Sequence, residues 1–417
     1  MLLTPYTALD LAGPLGALAG RILADLGVDV IKVEPPGGDP ARDLPPFLQS
    51  DGRPRQSLSW LFLNTNKRSV TVDLSEECGR TLFRDLIGTA DFLIESFEPG
   101  YLEALGLGYR ALSEINERLI LVSITPFGQR GPYCRYLASD LEIMAVSGAM
   151  SLAGDADGEP MRATAPQAPM WVGVEAAMGA LTTLVARHVS GRGQHVDVSA
   201  QAALLSALAH APVFVDINGV SPERAGIYLT GRSTTGARMR GFWACRDGWI
   251  NFIIYGGAAG RHTNQQLVAW MTERGMAPAW MQEIDWSHFH VTGLTQAEVD
   301  RLEAPIARFL EILTKQEFLE GALAREMLGY PVYTVADIDQ DRQLASRQFW
   351  QDVIDQGSGV GLKMPGAFAL VDGVRLPIRR GPPAVGQHNA EILPRVTRRW
   401  PPAAPAVSDP RSPADRA

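Results

Sequence analysis

"TALDLAGPLGALAGRILADLGVDVIKVE", Thr7 to Glu34, decides the fold. "TALDL" reads as a short strand, "LGALAGRILADLG" as a helix ending at Gly27, and "VDVIKVE" as a second strand stopped by Pro35-Pro36-Gly37-Gly38. Two strands joined through a helix lie parallel, because only a long crossover returns the chain to the same end of a sheet. The pattern then repeats. "RSVTVDL" is a strand rich in β-branched residues, "EECGRTLFRDLIGTA" an amphipathic helix, "DFLIESF" a strand closed by Glu98-Pro99-Gly100, and "LILVSITPFG" a further apolar strand. The expected class is α/β, with a parallel sheet covered by helices on both faces. Ligands of such sheets sit beyond the carboxyl ends of the strands, so the turns after Glu34, Ser96 and Thr125 are the places to look.

Outward from that core, a long apolar helix is expected from Ser199 to about Val215. Composition then shifts to short strands around "GFWACRDGWINFIIYGG". Residues 258 to 326 read as helices carrying Trp270, Trp280 and Trp286. The expected organisation is a large domain over 1–215, a smaller α+β domain over 220–345, and a return to the large domain over 346–395. The tail over 400–417 has the Pro, Ala and charge content of a disordered end.

With 417 residues, 46% of them hydrophobic, the chain can bury a large core. Its net charge of -8, with no run of Lys and Arg, argues against nucleic acid as a partner. The apolar start carries Asp10 and no basic leader, and the uncharged run Val198 to Val215 contains Gln201, His210 and Pro212, so no membrane partner is expected. Cys78, Cys134 and Cys245 make neither a disulfide framework nor a metal spacing, which fits the cytoplasm.

Individual motifs exclude several chemistries. The glycines at 13, 16 and 20 do not form G-x-G-x-x-G, and Pro14 removes an N–H that a dinucleotide would need. "GDADGEP", Gly154 to Pro160, has the rhythm of a calcium loop but Pro166 at the closing position, so it reads as an exposed turn. His288 and His290 have no companion ligands, and no metal is expected. No nucleophile elbow is present.

A series of phrases in order carries more. They are "LADLGVDVIKVEPPGGDPAR", "NTNKRSVTVDL", "ADFLIESFEPGYLEALGLGYRAL", "LILVSITPFGQRGPY", "SDLEIMAVSGAMSLAG", "ARHVSGRGQHVDVS" and "AVGQHNAEIL". Together they resemble the family III CoA-transferases, the CaiB/BaiF family, from about Ala8 to Leu393. The resemblance implies a Rossmann-like large domain with a C-terminal return, a smaller domain, and two chains interlocked as a dimer. It implies coenzyme A or acyl-CoA and an organic acid as substrates. The CoA-contacting stretches map onto Val72, Asp73, Leu74 and Ser75, onto Ser96, Phe97 and Glu98, and onto Leu137, Ala138, Ser139 and Asp140. Lys67, Arg68 and Arg42 would supply positive charge for the 3'-phosphate. Ala104 stands where the family usually has a CoA-binding arginine, and "GRSTTG", Gly231 to Gly236, matches the family's glycine-rich loop.

Family members act through an aspartate at the start of a Gly/Ala helix, since a carboxylate can attack a thioester and form a mixed anhydride. Aligning Gly173 and Gly179 with that helix puts Pro169 where the aspartate belongs. Proline suits a first helical turn but can neither attack nor take a proton. Glu175 lies six residues on, about 9 Å along the axis and roughly 240° around it. Asp140 falls in a motif where the family also has an acid. The resemblance therefore points to a subunit lacking the catalytic aspartate, like one member of the benzylsuccinate CoA-transferases, paired with an Asp-bearing homologue. The alternatives are an active homodimer using Asp140 or Glu175 for transfer, epimerisation or elimination, and a CoA-binding protein without chemistry.

Overall fold

In the computed structural model, residues 1–48, 55–229, 233–355 and 359–397 are described. Six strands form one sheet: β1 (Thr7–Asp10), β2 (Asp29–Glu34), β3 (Arg68–Thr71), β4 (Phe92–Glu95), β5 (Ile120–Thr125) and β6 (His195–Ser199). Their order is β3-β2-β1-β4-β5-β6, and every neighbouring pair is parallel. The α/β class read from the sequence is the class observed. The order reverses between β1 and β4, which is the switch point where ligand crevices open in sheets of this kind. The sequence reading placed no strand at His195–Ser199. There "HVDVS" alternates polar and apolar residues over a half-exposed edge, a weaker signal than the buried runs of β4 and β5.

Four helices matter to the site: α1 (Ala17–Asp25), α2 (Glu77–Ile87), α3 (Asp140–Val146) and α4 (Ala168–Ser190). Side chains alternate across the strands. Leu9, Ile31, Val70, Leu93 and Leu121 face Phe83 and Leu86 of α2 on one side. On the other side α1 approaches β5 so closely that a Cβ on Gly16 would lie 2.7 Å from Cδ1 of Ile124. A Cβ on Gly173 of α4 would lie 2.6 Å from Cβ of Leu18, so the buried row Gly173, Ala176, Ala177 and Ala180 lets α4 seat directly on α1. By length and composition α4 is apolar enough to cross a bilayer, but this inner row is buried within the fold.

The chain divides into two compact units. The first comprises residues 1–149, 163–210 and 343–417; the second comprises 150–162 and 211–342. Residues 150–162, which the sequence reading placed within 1–215, cluster with the second unit. The turn there belongs to the second unit, where Arg224 donates to the carbonyls of Asp155 and Gly158. The helix expected from Ser199 to about Val215 is also interrupted, giving α5 (Ala200–Ser206) and α6 (His210–Asn218).

In the first unit the returning segment adds an antiparallel pair, β10 (Trp350–Ile354) and β11 (Gly361–Pro365), and ends in α10 (Asn389–Thr397). "GQHN" closes the free edge of β3. His388 Nδ1 accepts from Ser69 N–H, His388 N–H donates to the Ser69 carbonyl, and Asn389 Oδ1 accepts from Thr71 N–H at 2.9 Å.

The second unit holds a three-stranded antiparallel sheet of β7 (Phe242–Cys245), β8 (Gly248–Asn251) and β9 (Tyr330–Val332). Its helices α7 (Gly257–Glu273), α8 (Gln296–Glu311) and α9 (Lys315–Ala324) enclose Trp243, Trp270, Phe309 and Phe318. Of the loop matched to "GRSTTG", Gly231 and Arg232 lie outside the described residues. Thr234 and Thr235 are tied by their hydroxyls to the carbonyls of Thr292 and Leu294. The tail expected to be disordered, 400–417, also lies outside the described residues.

Candidate functional site

The carboxyl ends of β1, β2 and β4 open into two adjoining cavities. One, of about 470 Å³, is lined by Val72 to Ser75, Ser96 and Phe97, with Glu34, Pro35 and Asp39 to Ala41 opposite. The other, of about 650 Å³, is lined by Ser96 to Pro99 and Cys134 to Ser139. Gly13, Pro14, Ser96 and Phe97 belong to both. Three stretches separated by tens of residues in sequence thus meet in one groove, because the topology sends each turn to the same sheet edge.

Local bonding explains the shape of each wall. Ser96 Oγ accepts from Gly13 N–H at 2.8 Å, joining the turns after β1 and β4 across the switch point. Phe97 lies 4.6 Å from the Tyr101 ring. Asp73 Oδ1 accepts from both the N–H and the hydroxyl of Ser75, which holds the half-buried Asp73 carboxyl below its ordinary value. Ser139 and Glu142 form a reciprocal capping box that starts α3. The turn at Gly13 and Pro14, dismissed in sequence because Pro14 lacks an N–H, proves to be a wall shared by both cavities. The turns after Glu34, Ser96 and Thr125 were named from the sequence, and the signal overlooked was the first βα turn itself.

The three cations expected to meet a phosphate are engaged elsewhere. Lys67 is fully buried; its ammonium donates to Asp10 Oδ2 at 2.7 Å and to the Ala17 carbonyl at 3.0 Å, and burial lowers its pKa. Arg68 is divided between Asp29 and Glu391. Arg42 grips Glu34 through two bonds of 2.7 Å and lies over the Trp60 ring. Short spacing in "NKRSV" hid this, since Lys67, just before the strand, turns inward to Asp10 while Arg68 reaches Asp29 and Glu391. Ala104 ends a short helix, Tyr101–Ala104, beside the groove and adds no charge.

Pro169 sits in the first turn of α4, as expected. Asp140 Oδ1 accepts from the N–H groups of Gln167 and Ala168, both at 2.8 Å, so this carboxylate caps the entrance of α4. Asp140 is therefore adjacent to Pro169 in space, with its Oδ1 bonded to the helix entrance. Glu175 lines neither cavity. Asp140→Ala is expected to cost about 1–2 kcal/mol of stability, the worth of a helix cap, with Asp140→Asn recovering part of it; urea denaturation of the three proteins measures this. Among the described residues no group of three His, Cys, Asp or Glu side chains could hold a metal.

A doubly wound sheet with a groove at its switch point, and an N-capped Gly/Ala helix beside that groove, is an architecture in which many α/β proteins bind nucleotides or coenzymes. Residues 9–389 match the CoA-transferase family III profile, and the chain belongs to that family. It is 34% identical over 390 residues to the succinyl-CoA:(R)-benzylsuccinate CoA-transferase subunit BbsE of Thauera aromatica, covering 93% of this chain and 92% of that one. It is 29% identical to the formyl-CoA:oxalate CoA-transferase of Streptomyces coelicolor, over 90% of both chains. A CAIB/BAIF family protein from Brucella suis has the same fold, with a TM-score of 0.77 and 29% identity over 94% of this chain and 98% of that one.

Proposed function

We propose that this chain is the non-catalytic subunit of a family III CoA-transferase that exchanges CoA between an acyl-CoA and an organic acid. The reading rests on the entrance of α4, where Pro169 has no ionisable group and Asp140 Oδ1 caps two backbone N–H groups. CoA would lie in the paired cavities, against Val72 to Ser75, Ser96 to Glu98 and Leu137 to Ser139. The attacking carboxylate would come from an Asp-bearing homologue interlocked with this chain. Full-length similarity to a protein named as a subunit supports the pairing. So does the outer face of α4, where Trp171, Val174, Met178, Val185 and Val189 are between 41% and 91% exposed, an apolar stripe suited to burial against a second chain. Three unpaired cysteines suit the cytoplasm.

The purified chain is expected to show no CoA exchange with succinyl-CoA and aromatic or aliphatic acids, and exchange is expected when an Asp-bearing homologue is co-expressed. Robust turnover by the lone chain overturns the proposal. Hydroxylamine trapping during that turnover would then mark Asp140 or Glu175 as the acyl carrier.

A further inference from the structure

Beneath the Ser96–Glu98 turn lies a chain of polar groups, running from buried Glu95 and Ser123 to exposed His195, that the proposed function does not use. Glu95, at the end of β4, is almost fully buried, and its Oε2 accepts from Phe97 N–H at 2.7 Å. Ser123 on β5 is the register partner of Glu95, and its hydroxyl favours the ionised carboxyl. Ser123 Oγ lies 2.9 Å from His195 Nε2 on β6. The His195 ring stacks on Tyr109 with centroids 5.5 Å apart. His195 lines a third cavity, of about 710 Å³, which shares Pro99, Cys134 and Arg135 with the 650 Å³ cavity. Three adjacent parallel strands thus place one group each between solvent and the turn.

We propose that Glu95, Ser123 and His195 form a proton relay, and that Glu95 is a positioning residue whose charge sets how tightly the Ser96–Glu98 turn holds an anionic ligand. The inference rests on the reading that CoA occupies this groove. With Glu95 ionised, Ser123 donates to Glu95 and accepts from His195 Nε2–H. Taking up one proton reverses the chain. A solvent proton enters at His195 Nδ1, the Nε2 proton passes to Ser123 Oγ, and the former Ser123 proton bonds to Glu95. One proton is gained, and Glu95 then donates to Ser123. A charge directly under the turn is removed as a polyanion binds above it.

The surroundings favour this exchange. Burial pushes the Glu95 carboxyl up to about 7; the Ser123 hydroxyl and Phe97 N–H oppose the rise, and Glu103 and Asp197 add to it. On the β1 side Asp10 is neutralised by Lys67 and lies near Lys32. On the β6 side partial burial lowers His195, helped by Arg130 and opposed by Asp197 and Glu103, which favours the neutral ring that can hand a proton on.

Calorimetric titration of the full chain with CoA from pH 6 to 8 tests the proposal. Native protein is expected to bind about three- to tenfold more tightly at pH 6 than at pH 8. Glu95→Gln, neutral and able to keep the Phe97 bond, is expected to bind with a flat profile. Ser123→Ala, which removes the hydroxyl that favours the carboxylate, is expected to move the native midpoint upward. A Glu95→Gln protein that keeps the native slope overturns the inference. A second readout needs no ligand. Because Glu95 is raised in the folded state, the native protein is destabilised as pH rises from about 4.5 to about 7, and Glu95→Gln is not. Melting temperatures should therefore coincide near pH 5 and diverge by pH 8, with Glu95→Gln the higher. If neither protein binds CoA, the coenzyme reading fails and this comparison alone decides; parallel melting profiles overturn the relay.

Discussion

Replacing Lys67 with methionine is expected to cost about 3–5 kcal/mol of folding free energy, measured by urea denaturation. Lys67 and Asp10 are both fully buried and paired at 2.7 Å. Methionine fills the volume of the lysine stem but leaves the Asp10 carboxylate without its ammonium. The remaining cation, Lys32, is 4.0 Å from Asp10 and is itself paired with Asp39 at 2.7 Å. Breaking one half of a buried pair leaves a charge in a medium that solvates it poorly, which outweighs the loss of the attraction itself. The double variant Lys67→Met/Asp10→Asn keeps an acceptor for Ala12 N–H while removing the orphan charge. It should recover at least about 1 kcal/mol, giving a clear coupling energy. A loss below about 1 kcal/mol in the single variant would show that the pair is not the brace that its geometry implies.

Pro169→Asp is expected to raise CoA exchange by the lone chain at least about 100-fold above its background, equivalent to about 2.7 kcal/mol of barrier. The backbone already fits, since a first-turn aspartate is favoured by the N–H groups and dipole of a helix N-terminus. Asp140 continues to cap Gln167 and Ala168, so the new carboxylate is left free to attack a thioester. Pro169→Asn supplies the shape without the charge and should stay at background. Equal rates for the two variants, with CoA binding intact in both, would mean that the loss of activity lies elsewhere in the chain.

The sheet was legible because its strands are strongly patterned. The β4 run Phe92–Glu95 and the β5 run Ile120–Thr125 are buried throughout, and their turns carry Pro and Gly. The same rule pointed to three of the turns that line the groove, because parallel topology collects them at one edge. What the sequence hid was pairing. Lys67, Arg68 and Arg42 look like available cations in a string, yet each meets an acid brought from elsewhere: Asp10, Asp29 and Glu34. Asp140 looked like a rival base, and only the three-dimensional approach of α3 to α4 shows it serving as a cap. The relay escaped notice for the same reason, since Glu95, Ser123 and His195 are separated by 28 and 72 residues. A break in an apolar run, as between Ala200–Ser206 and His210–Asn218, leaves little trace in hydropathy, and so one long helix was expected there.

The seal that His388 and Asn389 place on β3 also bears on how the protein is made. Synthesis runs from the amino end, so the ribosome delivers the six strands long before it delivers the two residues that cover their outer margin. Until then the Ser69 and Thr71 amides are an open template for a stray strand. The second unit, whose 211–342 segment is contiguous, is synthesised before residues 388 and 389, so it can mature while that margin is still open.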